Sequence, residues 1–508
     1  MNEPRAEALS TAPWPDLPRN AVGSRLPWRR WLTVHLLVWA FAAWLSRGNL
    51  DVSGDMAENY VWGIEWQAGY AKHPPLFAWV TAAWFSLMPR ADWAYFALSV
   101  VNVGVGLLGV AALARRFLSA DAAVFAVVAL AVSPLYTGLA LKFNANAVQL
   151  SVWPWAVWAY VVFMQRGSLR HAAACGALVA LALLGKYFSV VLALALVLAA
   201  LAVPAWRLRL RGVGPWLALG AAALVLAPHL AWLVDQQFMP LRYAEKRSAS
   251  ELGPVLLRLL NYSLAQVGYL LPGALLLIYA VRPGQRREAA QAVVRSMFAV
   301  AQQRELWWLA FAPMLVVAGL AMSLRMPMAA VWGMAQWFAV TTLWLAVLHG
   351  KGMAPRVAWL RRAVPVYWAL VTAIALALGY AEARQGSEGA ITPRLELARA
   401  THALWHERTG ATLKIVAGSG ADVMSVAFYS PDRTRWWSPA SPVLTPWITL
   451  TDWRRDGGVL VCAADDSACA ATAQALVASP PMELSVRRQA WGILMPNFKY
   501  RVYLQLPA

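Results

Sequence analysis

One stretch of the chain combines residues able to move a charged group. It is Asp51 to Leu76, DVSGDMAENYVWGIEWQAGYAKHPPL, which sets Asp55, Glu58, Glu65, Lys72 and His73 among aromatic residues and ends in a His-Pro-Pro break. A carboxylate beside cations suits transfer from a phosphate. The cations hold the phosphate, and the carboxylate takes a proton from an attacking hydroxyl or amine. Asp55 is the first candidate for that base, with Asp51 as its rival. The competing use of Asp55 is to cap the helix that follows it, with Met56 to Glu58 in the first turn. Glu58 reads more as an acidic partner of the helix dipole than as a second catalytic acid. Lys72 either binds phosphate or snorkels. His73 either bonds backbone or acts as a ligand, and Pro74-Pro75 fixes a rigid turn.

More cations stand at related places. Lys186, between Gly185 and Tyr187, interrupts two long apolar runs, where an unpaired charge is costly; it calls for a ligand or a carboxylate. Arg242, Arg247 and Arg325 follow other apolar runs. With Lys72 and Lys186 they complete the candidate phosphate-binding set. The sequence lacks a P-loop, a G-x-G-x-x-G fingerprint after a strand, H-E-x-x-H, a Cys-x-x-Cys pair and an exposed Asp-x-Asp. An ATP-driven pump, a zinc protease and a nucleotide-sugar enzyme lose support accordingly.

These residues must be positioned by a membrane protein. Of 508 residues, 60% are hydrophobic and 14% charged, whereas soluble domains run near half and a quarter. The net charge of +19 does not point to nucleic acid, because Lys and Arg collect on the cytoplasmic loops of polytopic proteins. Residues 1–30 are an Arg-rich tail that precedes a retained signal anchor and places the N-terminus in the cytoplasm. Charge alternation then gives about eleven spans within residues 31–382, or up to about 13, with external loops at 47–92 and 235–266. Pro74–Met88 should not cross. Residues 55–68 should form a helix on the membrane surface, anchored by Tyr60, Trp62 and Trp66.

Composition changes near residue 383. Thr412–Val416, Gly458–Cys462, Glu483–Val486 and Tyr500–Leu506 read as strands, and His402–Arg408 and Ala468–Val477 as helices. Residues 383–508 should therefore be a small external α/β domain. In such a compartment Cys462 and Cys469 are placed to form a disulfide, while Cys175 sits in an apolar run.

The pattern of Asp55, Gly69-Tyr70 and Lys72-His73-Pro74-Pro75-Leu76 resembles the first external loop of GT-C glycosyltransferases of the protein O-mannosyltransferase type, whose bacterial branch includes the aminoarabinose–lipid A transferase. Leu184-Gly185-Lys186-Tyr187, Pro228 to Trp232 and Arg325, Pro327 and Trp332 extend the similarity. The resemblance implies a polytopic GT-C fold with a C-terminal periplasmic α/β domain in a bacterial inner membrane. It implies a polyprenyl-phosphate-linked sugar donor, inverting transfer, and a lipid A, other glycolipid or protein acceptor. Asp55 matches the catalytic aspartate, and Lys72 and His73 fall near the donor phosphate. Glu58, Tyr60 and Asn146 are supporting residues. Two positions depart from the pattern: Met56 replaces a common Glu, and Asn146 replaces a common Asp. With that charge gone, no metal and no cofactor beyond the lipid-linked donor is expected. The alternative activity is a transporter or flippase of a lipid-linked sugar, which would place charges in mid-span rather than at one face.

Overall fold

The structure is a computed structural model that describes residues 27–508 except 246, 247, 249, 250, 299 and 302. Arg247 and the tail up to residue 26 therefore lie outside the described residues. The membrane part comprises helices α1 (Trp28–Arg47), α2 (Asp55–Gly63), α3 (Leu76–Phe85), α4 (Asp92–Ala114), α5 (Ala120–Ala131), α6 (Val148–Arg166), α7 (Leu169–Gly185) and α8 (Val190–Ala202). It continues with α9 (Pro204–Arg207), α10 (Gly214–Asp235), α11 (Met239–Glu245), α12 (Leu252–Ala280), α13 (Arg286–Ser296), α14 (Arg304–Ser323), α15 (Val340–Gly350) and α16 (Val357–Gln385).

Among the described residues, five helices are long and apolar enough to cross a bilayer: α4, α10, α12, α14 and α16. A sixth span results if α8 and the turns beside it, bent by 105° at Pro204, count as one. Other apolar runs are realised as shorter or more polar helices. The run at 122–140 stops being helical at Ala131, ahead of Pro134, and the run at 331–348 becomes an α-helix only from Val340. Helix α3 has 10 residues, about 15 Å at the α-helical rise, and is too short to span, as its charge context implies. The expected loop at 235–266 is mostly helix: α11 and the first half of α12 occupy it.

The buried fraction of the apolar windows identifies the lipid-facing surface. Only 11% of the window in α10, 22% in α12 and 17% in α16 is buried within the protein. Apolar helices with so little protein around them are stable only against hydrocarbon. Inside the bundle the helices approach closely through small residues. A Cβ on Gly176 of α7 would lie 1.9 Å from the Ala218 carbonyl oxygen of α10, so only glycine permits that crossing.

After α16 the chain forms a mixed sheet covered by helices. The helices are α17 (Glu388–Ile391), α18 (Arg394–Thr409), α19 (Ala421–Tyr429), α20 (Leu450–Asp456) and α21 (Ser467–Leu476). The strands are β1 (Ile415–Ala417), β2 (Arg435–Trp437), β3 (Gly458–Ala463), β4 (Met482–Val486), β5 (Gln489–Ala490), β6 (Ile493–Leu494) and β7 (Phe498–Gln505). The sheet order is β2-β1-β3-β7-β4, with β5 and β6 as a separate pair. Strand β1 runs parallel to β2 and β3, while β7 is antiparallel to β3 and β4. The structure joins Cys462, on β3, to Cys469, on α21, as a disulfide.

The sheet domain is fused to the first polar loop by one core. Tyr60 and Trp62 of α2, Phe85 of α3 and Tyr95 of α4 share a buried cluster with Leu397, Trp405 and Phe428 of the sheet domain. The Phe428 ring stands 5.2 Å from that of Tyr60 and 5.1 Å from that of Phe85. Tyr60 and Trp62 are thus not interfacial anchors; they are 3% and 0% exposed beneath the sheet domain. Helix α2 also ends at Gly63 rather than reaching residue 68, and Trp66 takes a left-handed backbone, φ 49°. Polar contacts stitch the same boundary. Asn49 Nδ2 donates to the Gly389 and Thr392 carbonyls, each at 3.0 Å, and the buried Arg394 donates to the Leu50 carbonyl at 2.7 Å.

Candidate active site

Two aspartates at the head of α2 have separate tasks. Asp51 receives the first backbone N–H groups of the helix, from Asp55 at 3.1 Å and Met56 at 2.7 Å, and the Ser53 hydroxyl at 2.6 Å. Capping, one of the two uses open to Asp55 from its position, is thus performed by Asp51. Burial alone would raise the Asp51 carboxyl, but Lys142, the Ser53 hydroxyl and the Met56 N–H together hold it below the ordinary range. Asp55 begins the helix and is half-exposed. Its Oδ2 meets Lys142 Nζ at 2.8 Å and accepts from Asn144 Nδ2 at 3.1 Å. No hydrogen bond to Oδ1 exists among the described residues, so one lone-pair face of Asp55 stays open.

The partner of both aspartates, Lys142, sits on a loop that is built to hold it. Helix α4 grips that loop at each end: Ser99 Oγ donates to the Leu141 carbonyl at 2.8 Å, and Asn102 Nδ2 to the Ala147 carbonyl at 2.7 Å. Asn59 of α2 donates to the Phe143 carbonyl between them at 2.7 Å. The Asn144 side chain closes the turn, accepting from the Asn146 and Ala147 N–H groups at 2.9 and 3.1 Å. Lys142 also bonds the Ser53 hydroxyl and lies 3.2 Å from Asp51. Burial works against its charge, but the Asp51 and Asp55 carboxylates outweigh it and raise its pKa.

One turn along α2 lies a second pair. Lys72 Nζ reaches Glu58 Oε1 at 2.7 Å and lies 5.6 Å from the centre of the Trp62 ring. Glu58 is therefore more than a dipole partner. Burial pushes its carboxyl up, Lys72 opposes that, and the Asp55 and Asp51 charges push it further. The Lys72 loop is shaped by stacked rings, with Tyr70 on Trp62 at 5.1 Å and 5° between planes. His73 lies edge-on to Phe77 at 5.7 Å, and its carbonyl accepts from the Tyr70 N–H at 3.0 Å.

The third cation joins through the same loop. Lys186 stands in extended backbone, φ −166°, where α7 breaks. It hydrogen-bonds Asn146 Oδ1 and lies over the Trp332 ring at 4.6 Å. The Lys142–Asn146 loop thereby touches Asp55 at Asn144 and Lys186 at Asn146. Tyr187 bonds His229 Nε2 at 3.0 Å, and His229 Nδ1 meets the Ala68 carbonyl at 2.7 Å. A carbonyl only accepts, so Nδ1 carries the proton and neutral His229 accepts from the Tyr187 hydroxyl at Nε2. Gly69, next to Ala68, admits Trp232: a Cβ there would lie 2.4 Å from the indole. A cleft beside this contact is lined by Gln67, Tyr70, Ala71, Trp232, Met239 and Trp447.

Of the residues singled out in the sequence, Asp55, Glu58, Lys72, Tyr187, Lys186 and Asn146 fall within this network. Tyr60 belongs to the domain boundary, where its hydroxyl accepts from Arg90 at 3.2 Å. Arg242 and Arg325 are exposed, Arg242 on α11 and Arg325 after α14 with φ 49°. Sequence reasoning missed Lys142 and His229. The polar Lys142–Asn146 patch between apolar runs was the available signal for the first; a lone histidine late in α10 gave little for the second.

Residues 72–232 match the family described as dolichyl-phosphate-mannose-protein mannosyltransferase. That interval holds Lys72, the Lys142–Asn146 loop, Lys186, Tyr187 and His229. The lipid A galacturonosyltransferase RgtD of Rhizobium johnstonii is 27% identical over 244 residues, 47% of this chain and 51% of that protein. The chain thus spans about half the length of this curated relative. Among solved structures, ArnT from Cupriavidus metallidurans bound to undecaprenyl phosphate superposes with a TM-score of 0.57 at 16% identity, over 94% of this chain and 98% of that one. The fold is shared with that structure: a helical membrane part bearing a small C-terminal sheet domain.

Proposed function

We propose that the protein is an inverting membrane glycosyltransferase that moves a sugar from a polyprenyl-phosphate donor to an acceptor hydroxyl or amine. The observation that carries this reading is the Asp55 carboxylate: one oxygen is fixed by Lys142 and Asn144, the other is open, and further lysines are tied to the same loop and helix. In the reaction, Asp55 takes the acceptor proton as the acceptor oxygen or nitrogen attacks the anomeric carbon. The bond from that carbon to the phosphate oxygen breaks, and the phosphate leaves with the electron pair. Lys142, Lys72 and Lys186 are the groups that stabilise the growing negative charge. A single displacement needs one base and no covalent intermediate. With Asn146 in place of a carboxylate, the lysines supply the positive charge and the step uses no metal.

Three further points support the reading. RgtD acts on lipid A, the ArnT structure holds undecaprenyl phosphate, and α10, α12 and α16 offer apolar surface to a polyprenyl tail. In this reading the reaction takes place at the periplasmic face of a bacterial inner membrane, with lipid A, another glycolipid or a protein as acceptor. The test is mass spectrometry of envelope lipids and glycoproteins from a deletion strain, together with purified protein in liposomes bearing polyprenyl-phosphate sugars. Loss of one sugar mass from one envelope component, and release of polyprenyl phosphate in the liposomes, are expected. Movement of the lipid-linked sugar across the bilayer without cleavage would instead establish a flippase.

A further inference from the structure

A group of metal-ligating side chains in the sheet domain takes no part in the proposed transfer. His402 and His406 stand four residues apart on α18 and so share one face of that helix. Their rings are 4.2 Å apart. Both Nε2 atoms converge on a single oxygen, Asp432 Oδ2, at 3.0 Å from His402 and 2.8 Å from His406. The His402 nitrogen is buried and, despite that distance, forms no aligned hydrogen bond. A buried imidazole nitrogen left without a hydrogen bond costs about 1–3 kcal/mol, and a metal ion at this point would satisfy it.

From this geometry we infer that His402, His406 and Asp432 bind one divalent ion of the zinc type. The ligand atoms all lie within 4.8 Å of one another. At ordinary zinc–nitrogen and zinc–oxygen distances, neighbouring ligand atoms of a tetrahedron stand about 3.3 Å apart. The two His–Asp432 separations, 3.0 and 2.8 Å, need to open by only a few tenths of an ångström. Two imidazoles and a carboxylate are a ligand set zinc accepts, with water completing the shell. An outer partner is present too: the Leu413 N–H donates to Asp432 Oδ2 at 2.7 Å and orients the carboxylate.

The site has a structural consequence. Asp432 belongs to the segment that docks the sheet domain onto the membrane part. The preceding residue, Pro431, accepts from Arg90 at 2.9 Å. Further on, Arg435 forks onto Glu65 at 2.7 and 2.6 Å. An ion held by α18 and Asp432 ties this segment to the domain's longest helix and so stiffens the boundary above α2.

The test uses full-length protein purified in detergent without a polyhistidine tag, stripped with chelator and reloaded with Zn²⁺ or Co²⁺. One equivalent of zinc should survive gel filtration, and Co²⁺ should give the visible absorption of a low-coordinate nitrogen–oxygen site. His402→Gln and Asp432→Asn should each weaken zinc binding by about 10–100-fold or more, the range that even outer partners carry. Chelator should lower the thermal midpoint of the wild type and leave that of Asp432→Asn unchanged. Zinc uptake by His402→Gln equal to the wild type would overturn the proposal. If the variants do not fold, the wild type decides alone: no retained ion and no response to chelator refute the site.

Discussion

Replacing each aspartate at the head of α2 by asparagine separates structure from chemistry. Asp51 is the buried one, 7% exposed at its side chain. Its oxygens receive two backbone N–H groups, a hydroxyl and Lys142. Asp51→Asn keeps one acceptor oxygen but loses the charge. A carboxylate at a helix N-terminus is worth about 0.3–1 kcal/mol, and turning a charge-assisted hydrogen bond into a neutral one costs about 1 kcal/mol more. A loss of roughly 2 kcal/mol in stability follows for Asp51→Asn. Asp55, by contrast, is 40% exposed, and an ion pair so open to water is worth at most about 1 kcal/mol. Asp55→Asn should therefore fold like the wild type, yet lose the base. General-base catalysis contributes about 10²–10⁴-fold, or about 3–5 kcal/mol of barrier. Release of polyprenyl phosphate by the purified variants, read beside their thermal midpoints in one detergent, makes the comparison. Asp55→Asn should be nearly inactive at an unchanged midpoint, and Asp51→Asn should be less stable but retain measurable turnover per folded molecule. Asp55→Asn turning over within about threefold of the wild type would refute the assignment of the base, since it falls far short of that contribution.

Other perturbations test the scaffold. Gly69→Ala forces a Cβ into the Trp232 ring, 2.4 Å away, and should cost about 1–3 kcal/mol through overpacking; an unchanged thermal midpoint would argue against the packing described. Asp51, whose pKa is depressed below its ordinary 3.8 in the folded protein, stabilises the fold above that value and loses its contribution as pH falls below it, because the unfolded chain binds the proton first. The unfolding midpoint of the wild type should therefore drop more steeply between about pH 4 and pH 3 than that of Asp51→Asn, and parallel acid limbs would contradict the linkage. Lys186→Met removes a cation from the proposed phosphate site and should raise KM for the lipid-linked donor about 10–100-fold, the worth of a charged hydrogen bond; a KM equal to that of the wild type would exclude Lys186 from donor binding.

Chemistry-bearing residues were legible where their type contradicted their surroundings. Asp55, Lys72 and Lys186 are charges in an apolar chain, and each enters the network that the fold assembles. What the sequence did not reveal was who pairs with whom. Lys142 looked like one polar residue in a patch, because its role depends on Ser99 and Asn102 of α4 gripping the loop at both ends. Tyr60 and Trp62 looked like interfacial anchors, because nothing local tells a ring facing lipid headgroups from a ring covered by a distant domain. Helix α19, ADVMSVAFY, and strand β2, RWW, went unread for a related reason. Both are short, and burial rather than propensity settles their conformation.

The buried boundary changes what the C-terminal domain is for. A domain merely attached to a membrane enzyme would meet it through a wet surface. Here Phe428 packs among Tyr60, Phe85 and Tyr95, so α2 has the sheet domain on one side and α3 on the other, where a Cβ on Gly63 would lie 2.2 Å from the Ala78 carbonyl oxygen. The helix that presents Asp55 and Glu58 consists of only nine residues, too few for an isolated helix to persist in water. Its geometry must come from those two neighbours. The Glu65–Arg435 fork, with Glu65 8% exposed, fixes the chain just beyond the helix against β2. Positioning of the base therefore depends on residues hundreds of positions away. A truncation that removes the sheet domain should disorder α2 and abolish transfer even though it leaves Asp55, Lys72, Lys142 and Lys186 in the chain.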